Sequence, residues 1–288
     1  MREQAATWRS LLYVPGNNER FLGKAQSRGA DALILDLEDS VPADRKQAAR
    51  DMVAGALPEL ERGPSDLCLR VNGELLHLAG DLHLVAGRDL AAILLPKCED
   101  AGKVRMVAEA LDTLDPAGRT GIVPLIESPS GLHAAHAIAA AHPRVVALLL
   151  GSEDFAATCG IVPSEATLLG AKQQIVYAAR AAGIAPLGLL DSVAAYSGDG
   201  IGELAARSAA FGFSGATAVH PGAVAPLNRG FSPSEDDIAW AEEVVEAMEA
   251  ATREGRGAVS VGGRMIDKPI LERARRTLAR RRLAPTAD

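Results

Sequence analysis

The stretch LILDLEDSV, residues 33–41, sets an apolar run directly against three carboxylates, Asp36, Glu38 and Asp39. A run that is apolar at nearly every position suits a parallel strand, which is buried on both faces. Charge has no place inside such a strand. At its C-terminal end, however, it marks the side of a parallel α/β fold where functional groups collect. Seven other runs share this character: SLLYV (10–14), LCLRV (67–71), AAILLP (91–96), GIVPLI (121–126), VVALLL (145–150), APLGLL (185–190) and GATAV (215–219). Between them, segments 44–57, 100–114, 166–183 and 202–212 repeat apolar residues at three- and four-residue steps, which predicts amphipathic helices. Gly29, Gly183 and Gly212 fall where helix C-caps belong. Eight strands, each followed by a helix or a helix-length gap, predict a closed α/β (β/α)8 TIM barrel. The rival is a doubly wound open sheet. It usually has fewer strands, and its phosphate-binding glycine pattern is missing after the first strand.

The strand ends carry a consistent kind of residue. After the second come Asp36, Glu38 and Asp39, and the third carries Arg70 and Asn72. The fourth ends in Pro96-Lys97, the fifth in Glu127-Ser128, the sixth in Gly151-Ser152-Glu153-Asp154 and the eighth in His220-Pro221. Helix N-capping accounts for some of the Asp and Ser residues. It does not account for Arg70, for Lys97, or for acids at three strand ends facing one mouth. Converging carboxylates repel one another unless a cation offsets them. A hard ion such as Mg2+ takes one or two protein carboxylates and fills its remaining positions with water and substrate. The DLED acids are expected beside such an ion, as ligands or as acceptors for its bound waters. Arg70 and Lys97 add fixed positive charge for an anionic substrate.

The whole chain has 288 residues, 48% of them hydrophobic, which suits one large domain or two small ones. Only 3% are aromatic, so the core must be built mainly of Ala, Leu, Val and Ile. A net charge of -7 gives no general attraction to nucleic acid or to an anionic membrane. No apolar run approaches the ~20 residues of a membrane-spanning helix. MREQAATWRS, at the N-terminus, has no apolar signal-peptide core. Three scattered cysteines (Cys68, Cys98 and Cys159) show no metal-ligand spacing and fit a reducing cytoplasm. The chain is expected to divide into a barrel, residues 1–232, and a C-terminal extension, residues 233–288. In the extension a helix over 234–250 precedes a Gly-rich arm (253–267) and a basic helix (269–282). Arg273, Arg275, Arg276, Arg280, Arg281 and Arg282 on that last helix are read as a solvated face or a subunit contact rather than a nucleic-acid site.

Eight motifs in order, RSLLYVPGNNERF, LILDLEDSV, LRVN, LLPK, PLIES, GSEDFA, AVHPGAV and GGRMIDKPILERAR, resemble the citrate lyase beta subunit-like family of CoA-ester lyases. The resemblance runs from about residue 9 to 276 and implies the same barrel. It further implies Mg2+ held by Glu127 and Asp154, with Gly151 beside the bound substrate. Arg70 matches the substrate-binding arginine, and Asp36, Glu38, Asp39 and Lys97 match groups that surround the metal site. Tyr13, Arg20, Lys24, Val219 and His220 match positions near CoA. Arg20 and Lys24 are four residues apart, so a single helix would present both on one face.

Asp267, in the MID motif, has two readings. By itself it is a helix N-cap before Lys268-Pro269, since Pro suits a first helical turn. The resemblance implies instead a catalytic acid carried by the arm into a neighbouring subunit, and so a homo-oligomer, a trimer or a hexamer. Two departures stand out. No Lys occurs in SGATAV before the HP pair, and Tyr196 stands where relatives tend to carry an acid. The expected activity is reversible cleavage of a 3-hydroxyacyl-CoA, of malyl-CoA or citramalyl-CoA type, into an acyl-CoA and a 2-oxo acid. Hydrolysis of a malyl-CoA-like thioester and service as the beta subunit of a multi-component citrate lyase are the alternatives. A CoA-independent aldolase would lack the MID arm.

Overall fold

The computed structural model describes residues 1–192 and 200–281. Tyr196 and Arg282 lie outside them. The chain divides into two compact units, Met1–Phe231 and Ser232–Asp288.

The first unit is a barrel of eight parallel strands: β1 (Ser10–Pro15), β2 (Ala32–Asp36), β3 (Asp66–Arg70), β4 (Ala92–Leu95), β5 (Gly121–Ile126), β6 (Ala147–Leu150), β7 (Ala185–Leu187) and β8 (Ala216–Ala218). Each pairs with its sequence neighbour, and β1 pairs with β8. A parallel bridge from Leu187 to Gly215 joins β7 to the residue before β8 and completes the ring. The sequence-predicted barrel is therefore the fold observed.

The two-residue period of a strand sorts the apolar side chains into two cores. Leu12 and Val14, Leu33 and Leu35, and Leu67 and Leu69 pack in one cluster with helix residues such as Val53, Val104 and Leu168. The alternate positions, among them Leu11, Ile34, Cys68, Leu94, Val123 and Leu149, form a second cluster inside the ring. Four of its strand residues, Ala32, Ala92, Ala147 and Ala185, are small. The interior volume is completed from below by Trp8, buried just ahead of β1, whose indole N–H donates to Asp66 at 2.6 Å. A Cβ on Gly215 would sit 1.8 Å from the Trp8 carbonyl oxygen, so only glycine fits where β8 passes this plug.

The predicted helices form at Lys46–Leu60, Ala101–Leu114, Glu165–Ala181 and Gly200–Phe211. Two N-termini are closed by side chains: Asp100 accepts from the N–H groups of Gly102 and Lys103, and Ser164 with Thr167 makes a capping box. Gly183 and Gly212 end their helices with positive φ, whereas Gly29 caps only a short 3-10 turn. No helix among the described residues is long and apolar enough to cross a membrane.

In the second unit, helix Glu235–Arg253 is followed by an antiparallel hairpin, β9 (Val259–Val261) with β10 (Arg264–Ile266), and by helix Lys268–Arg281. The two helices share a small core of Ala241, Val244, Met248, Val261, Ile266 and Ala274. Part of the basic helix is engaged within the unit. Arg281 pairs with Glu242, and the Arg273 guanidinium lies 5.5 Å over the Trp240 ring.

Arg144 fixes the loop that leads into β5. It is buried and donates to Asp115, to the carbonyls of Asp115 and Thr120, and to Asp112 at 2.8 Å. Replacing it with Ala would strand the buried Asp115 carboxylate. Arg144→Ala is expected to lower the unfolding free energy by about 3–5 kcal/mol, read from denaturant titration, with the secondary structure of the folded form unchanged.

Candidate active site

The parity that fills the barrel interior also selects what lines its mouth. Continuing the inward positions upward gives Tyr13 on β1, Asp36 on β2, Arg70 on β3, Glu127 after β5 and Gly151 after β6. All five line one cavity of about 520 Å3, together with Asp39, Asp154, Lys172 and Val219.

Arg70 organises the β2–β3 side. Its Nε and Nη2 bond both oxygens of Asp36, at 2.7 and 2.8 Å, and its Nη1 bonds Asp39 at 2.9 Å. Burial would raise the Asp36 pKa. The hydrogen bonds and charge of Arg70, with N–H donors from Ser40 and Glu38, outweigh it and hold the carboxyl below its ordinary range. Asp36 is thus a structural anchor for the guanidinium. The guanidinium also stacks 4.8 Å over the Tyr13 ring. Burial pushes the Tyr13 phenol well up, so it stays protonated.

Glu38 is different. It is 4% exposed, and its oxygens approach Arg70 Nη1 and Lys97 Nζ at 3.2 Å each. These are ion-pair contacts without hydrogen-bond alignment, and both oxygens lack a hydrogen-bonded partner. Burial therefore dominates and raises the Glu38 pKa. Both buried oxygens keep lone pairs that these two ion-pair contacts do not fill.

Glu127 is buried, and one of its oxygens accepts the Lys97 backbone N–H at 2.7 Å. Lys97 is the one described non-glycine residue with positive φ, +50°, and this turn aims its N–H at the carboxylate. Burial, reinforced by the charges of Glu38 and Asp154 and opposed by the Lys97 N–H, pushes Glu127 up to about 7. Asp154 stands exposed in the first turn of helix Ser152–Cys159. Among the described residues no group of three or more His, Cys, Asp or Glu side chains is placed to hold a metal. Two carboxylates, with most coordination left to water and substrate, fit Mg2+ and do not fit a fully protein-caged ion. The spare oxygens of Glu38 suit the waters of such an ion.

A second cavity of about 640 Å3 shares Tyr13, Pro15 and Val219 with the first and is also lined by Phe21, Arg28, His220 and Gly222. His220 Nδ1 accepts the Gly222 N–H at 3.0 Å and caps the turn Pro221–Ala223. The expectation that one helix face presents Arg20 and Lys24 is corrected. The α-helix covers only Glu19–Leu22, because Gly23 ends it, and Lys24 leads into a separate 3-10 turn. Both side chains are exposed and neither lines the cavity, whereas Phe21 and Arg28 do.

Asp267 lies in the second unit, exposed, at the start of helix Lys268–Arg281. Its Oδ1 accepts the Ile270 N–H at 3.4 Å, a long N-cap contact. Two cationic lining residues are marked by no sequence motif. Lys172 sits mid-helix in an amphipathic pattern, and Arg28 lies on no motif.

Residues 9–221 match the model of the HpcH/HpaI aldolase/citrate lyase family. The chain belongs to this family. It is 34% identical to the human mitochondrial citramalyl-CoA lyase, over 94% of this chain and 84% of that protein. It is equally 34% identical to a (3S)-malyl-CoA thioesterase of Cereibacter sphaeroides, over 97% and 96%. Among solved structures it resembles CitE of Mycobacterium tuberculosis in complex with magnesium, acetoacetate and coenzyme A. The TM-score is 0.76 at 31% identity, covering 96% of this chain and 99% of that one.

Gly151 makes room for Glu127: an added Cβ would lie 2.5 Å from Glu127 Cγ and 2.8 Å from its Oε1. Gly151→Ala is expected to displace the carboxylate and weaken Mg2+ binding at least about tenfold by calorimetry. The thermal midpoint should move little.

Proposed function

We propose that this protein is a Mg2+-dependent carbon–carbon lyase. Its substrate is a 3-hydroxyacyl-CoA thioester of malyl or citramalyl type, cleaved reversibly into an acyl-CoA and a 2-oxo acid. The observation that supports the reading is the buried Glu127, fixed by the Lys97 N–H and pushed up by the neighbouring charges of Glu38 and Asp154. Glu127 and Asp154 would hold the metal. Bound Mg2+ supplies Lewis-acid polarisation and a template for the oxo acid. Magnesium in the related CitE structure supports this assignment.

The remaining roles belong to the chain's own side chains. Arg70, already locked by Asp36, presents a fixed positive charge to the hydroxyl or oxo oxygen of the substrate as negative charge develops there. One such preorganised donor is worth about 3 kcal/mol in the barrier. Its carboxylate neighbours prevent it from swinging away, so little reorganisation accompanies the reaction. In cleavage the substrate hydroxyl loses its proton as it becomes the oxo group, the C–C electron pair passes to the acyl-CoA fragment as an enolate, and that enolate carbon takes a proton, so the step is proton-neutral overall. In condensation the same group removes that proton. Asp267 is assigned this role, delivered by the hairpin arm to the barrel mouth of a neighbouring subunit. The active protein is then a homo-oligomer, a trimer or hexamer. The second cavity, beside Tyr13, Val219 and His220, suits the CoA portion of the thioester. Arg28 replaces Arg20 and Lys24 as the nearest cation on its lining. Cys68 and Cys98, buried free thiols, suit a reducing compartment such as the cytoplasm.

A second reading is hydrolysis of a malyl-CoA-like thioester in the same site, favoured by the equal identity to a thioesterase. Free thiol appearing with a free hydroxy acid and no 2-oxo acid excludes the lyase, because a lyase releases the 2-oxo acid and leaves the thioester intact. Service as the beta subunit of a multi-component citrate lyase would require partner chains, and turnover of free CoA esters by the isolated protein argues against it.

Asp267→Asn is expected to cut turnover of a hydroxyacyl-CoA by about 10²–10⁴-fold, while Mg2+ and pyruvate still bind with affinities close to the parent's. Undiminished turnover would remove Asp267 from the mechanism. Arg70→Lys should lower kcat by about 10²-fold or more, since an ammonium cannot span both Asp36 oxygens and still face the substrate.

A further inference from the structure

Lys103 stands in the first turn of helix Ala101–Leu114, behind the strand end that carries Lys97. A cation there faces the partial positive charge of the free helix N–H groups, so the dipole disfavours it. The half-buried side chain turns back over the loop instead of extending into water. Its ammonium donates to two consecutive carbonyls, Pro96 at 2.8 Å and Lys97 at 3.2 Å.

The first of these carbonyls gives the contact its meaning. The Pro96 C=O and the Lys97 N–H belong to one planar peptide unit, and that N–H is the donor accepted by Glu127 at 2.7 Å. Lys103 and Glu127 therefore hold opposite ends of the same peptide. The grip works against backbone preference, because φ of Lys97 is +50°, a strained value for a residue with a Cβ. A half turn of this peptide would return φ toward the negative range. It would also aim the Pro96 carbonyl, instead of the Lys97 N–H, at the Glu127 carboxylate. An ammonium bonded to the carbonyl oxygen opposes that turn. It also polarises the peptide and makes its N–H a stronger donor.

The end of β2 repeats the arrangement. Lys46, the first residue of helix Lys46–Leu60, donates to the carbonyls of Leu37 at 2.8 Å and Glu38 at 2.7 Å. The Leu37 carbonyl shares its peptide with the Glu38 N–H, which donates to Asp36 at 2.9 Å. In both places a lysine from the following helix, one peptide and one carboxylate of the mouth stand in a row. Asp36 has Arg70 as a further donor. For the Glu127 carboxylate, the Lys97 N–H is the one hydrogen-bond donor among the described residues. We propose that Lys103 is a positioning residue for the metal site: it locks the Pro96–Lys97 peptide in the orientation that presents an N–H to Glu127. Lys103 does not line the cavity, so it acts through this peptide. The inference rests on the reading of Glu127 as a Mg2+ ligand and adds what sets that ligand's geometry.

The test is calorimetric titration of the metal-free full chain with MgCl2, using the parent, Lys103→Met, Lys103→Arg, Lys97→Gly and the Lys97→Gly/Lys103→Met double variant. Lys103→Met keeps the apolar stem and should weaken Mg2+ binding at least about tenfold, as loss of a group that orients a metal ligand does. Lys103→Arg can still donate to both carbonyls and should bind within about threefold of the parent. Glycine adopts φ of +50° without strain. In the Lys97→Gly background the Lys103→Met change should therefore cost under about threefold, a coupling that a double-mutant cycle reads directly. An equal loss in both backgrounds would show a merely structural lysine and overturn the proposal. So would a Lys103→Met chain that fails to fold by circular dichroism. Parent-like affinity in Lys103→Met would overturn it too, while leaving the lyase reading intact. Failure of the parent to bind Mg2+ would remove the lyase reading and this inference together.

Discussion

A parallel strand has two faces, and a ring of eight such strands turns one face of each toward a common axis. Everything in the first unit follows from that constraint. The outward faces meet helices and can be large and branched. The inward faces compete for one narrow volume, which Ala32, Ala92, Ala147 and Ala185 keep passable and Trp8 closes from below. The same two-residue period carries on past the last ladder hydrogen bond. The residues that would be next in the core become the residues of the mouth, where water replaces protein and charge is tolerated.

The mouth is consequently an electrostatic device with fixed geometry. Arg70 is held by Asp36 and Asp39 and stacked on Tyr13, so its charge has a set position before any ligand arrives. Glu127 is held by a backbone N–H that requires Lys97 to adopt an unfavourable φ. Strain of this kind, about 1–3 kcal/mol, persists only where surrounding structure determines it. Glu38, by contrast, has ion-pair contacts with Arg70 and Lys97 but no aligned hydrogen bond on either buried oxygen. The carboxylates therefore differ in function because their environments differ: one anchors, one is poised with a raised pKa, and one is left as an acceptor.

Much of this was readable from the chain. Near-continuous apolar runs separated by segments of helical period specify parallel strands and their crossovers, and ordering by strand end brings Asp36, Arg70, Glu127 and Asp154 to one face. Arg20 and Lys24 show the limit of such reasoning. Their spacing predicts a shared helix face, but the helix stops at Leu22 before a glycine, and spacing says nothing once the repeat is interrupted. Lys172 shows the opposite limit. It sits in a regular helical pattern with no motif around it, and nothing local separates a lysine that reaches solvent from one that is buried.

What the amino-acid order determined by itself was periodicity: which residues share a strand face, where each strand gives way to polar groups, and so which side chains gather at one end of a barrel. Those are local properties, set by backbone geometry within a few residues. Only the tertiary structure decided how those groups are paired: that Arg70 is shared by three acids, that Glu38 has ion pairs but no aligned hydrogen bond, that Gly151 yields its space to Glu127, and that Lys172 is buried against the Asp191 carbonyl. Pairing depends on distances between segments far apart in sequence, and hydrogen-bond and Coulomb energies change over fractions of an ångström that no spacing rule encodes.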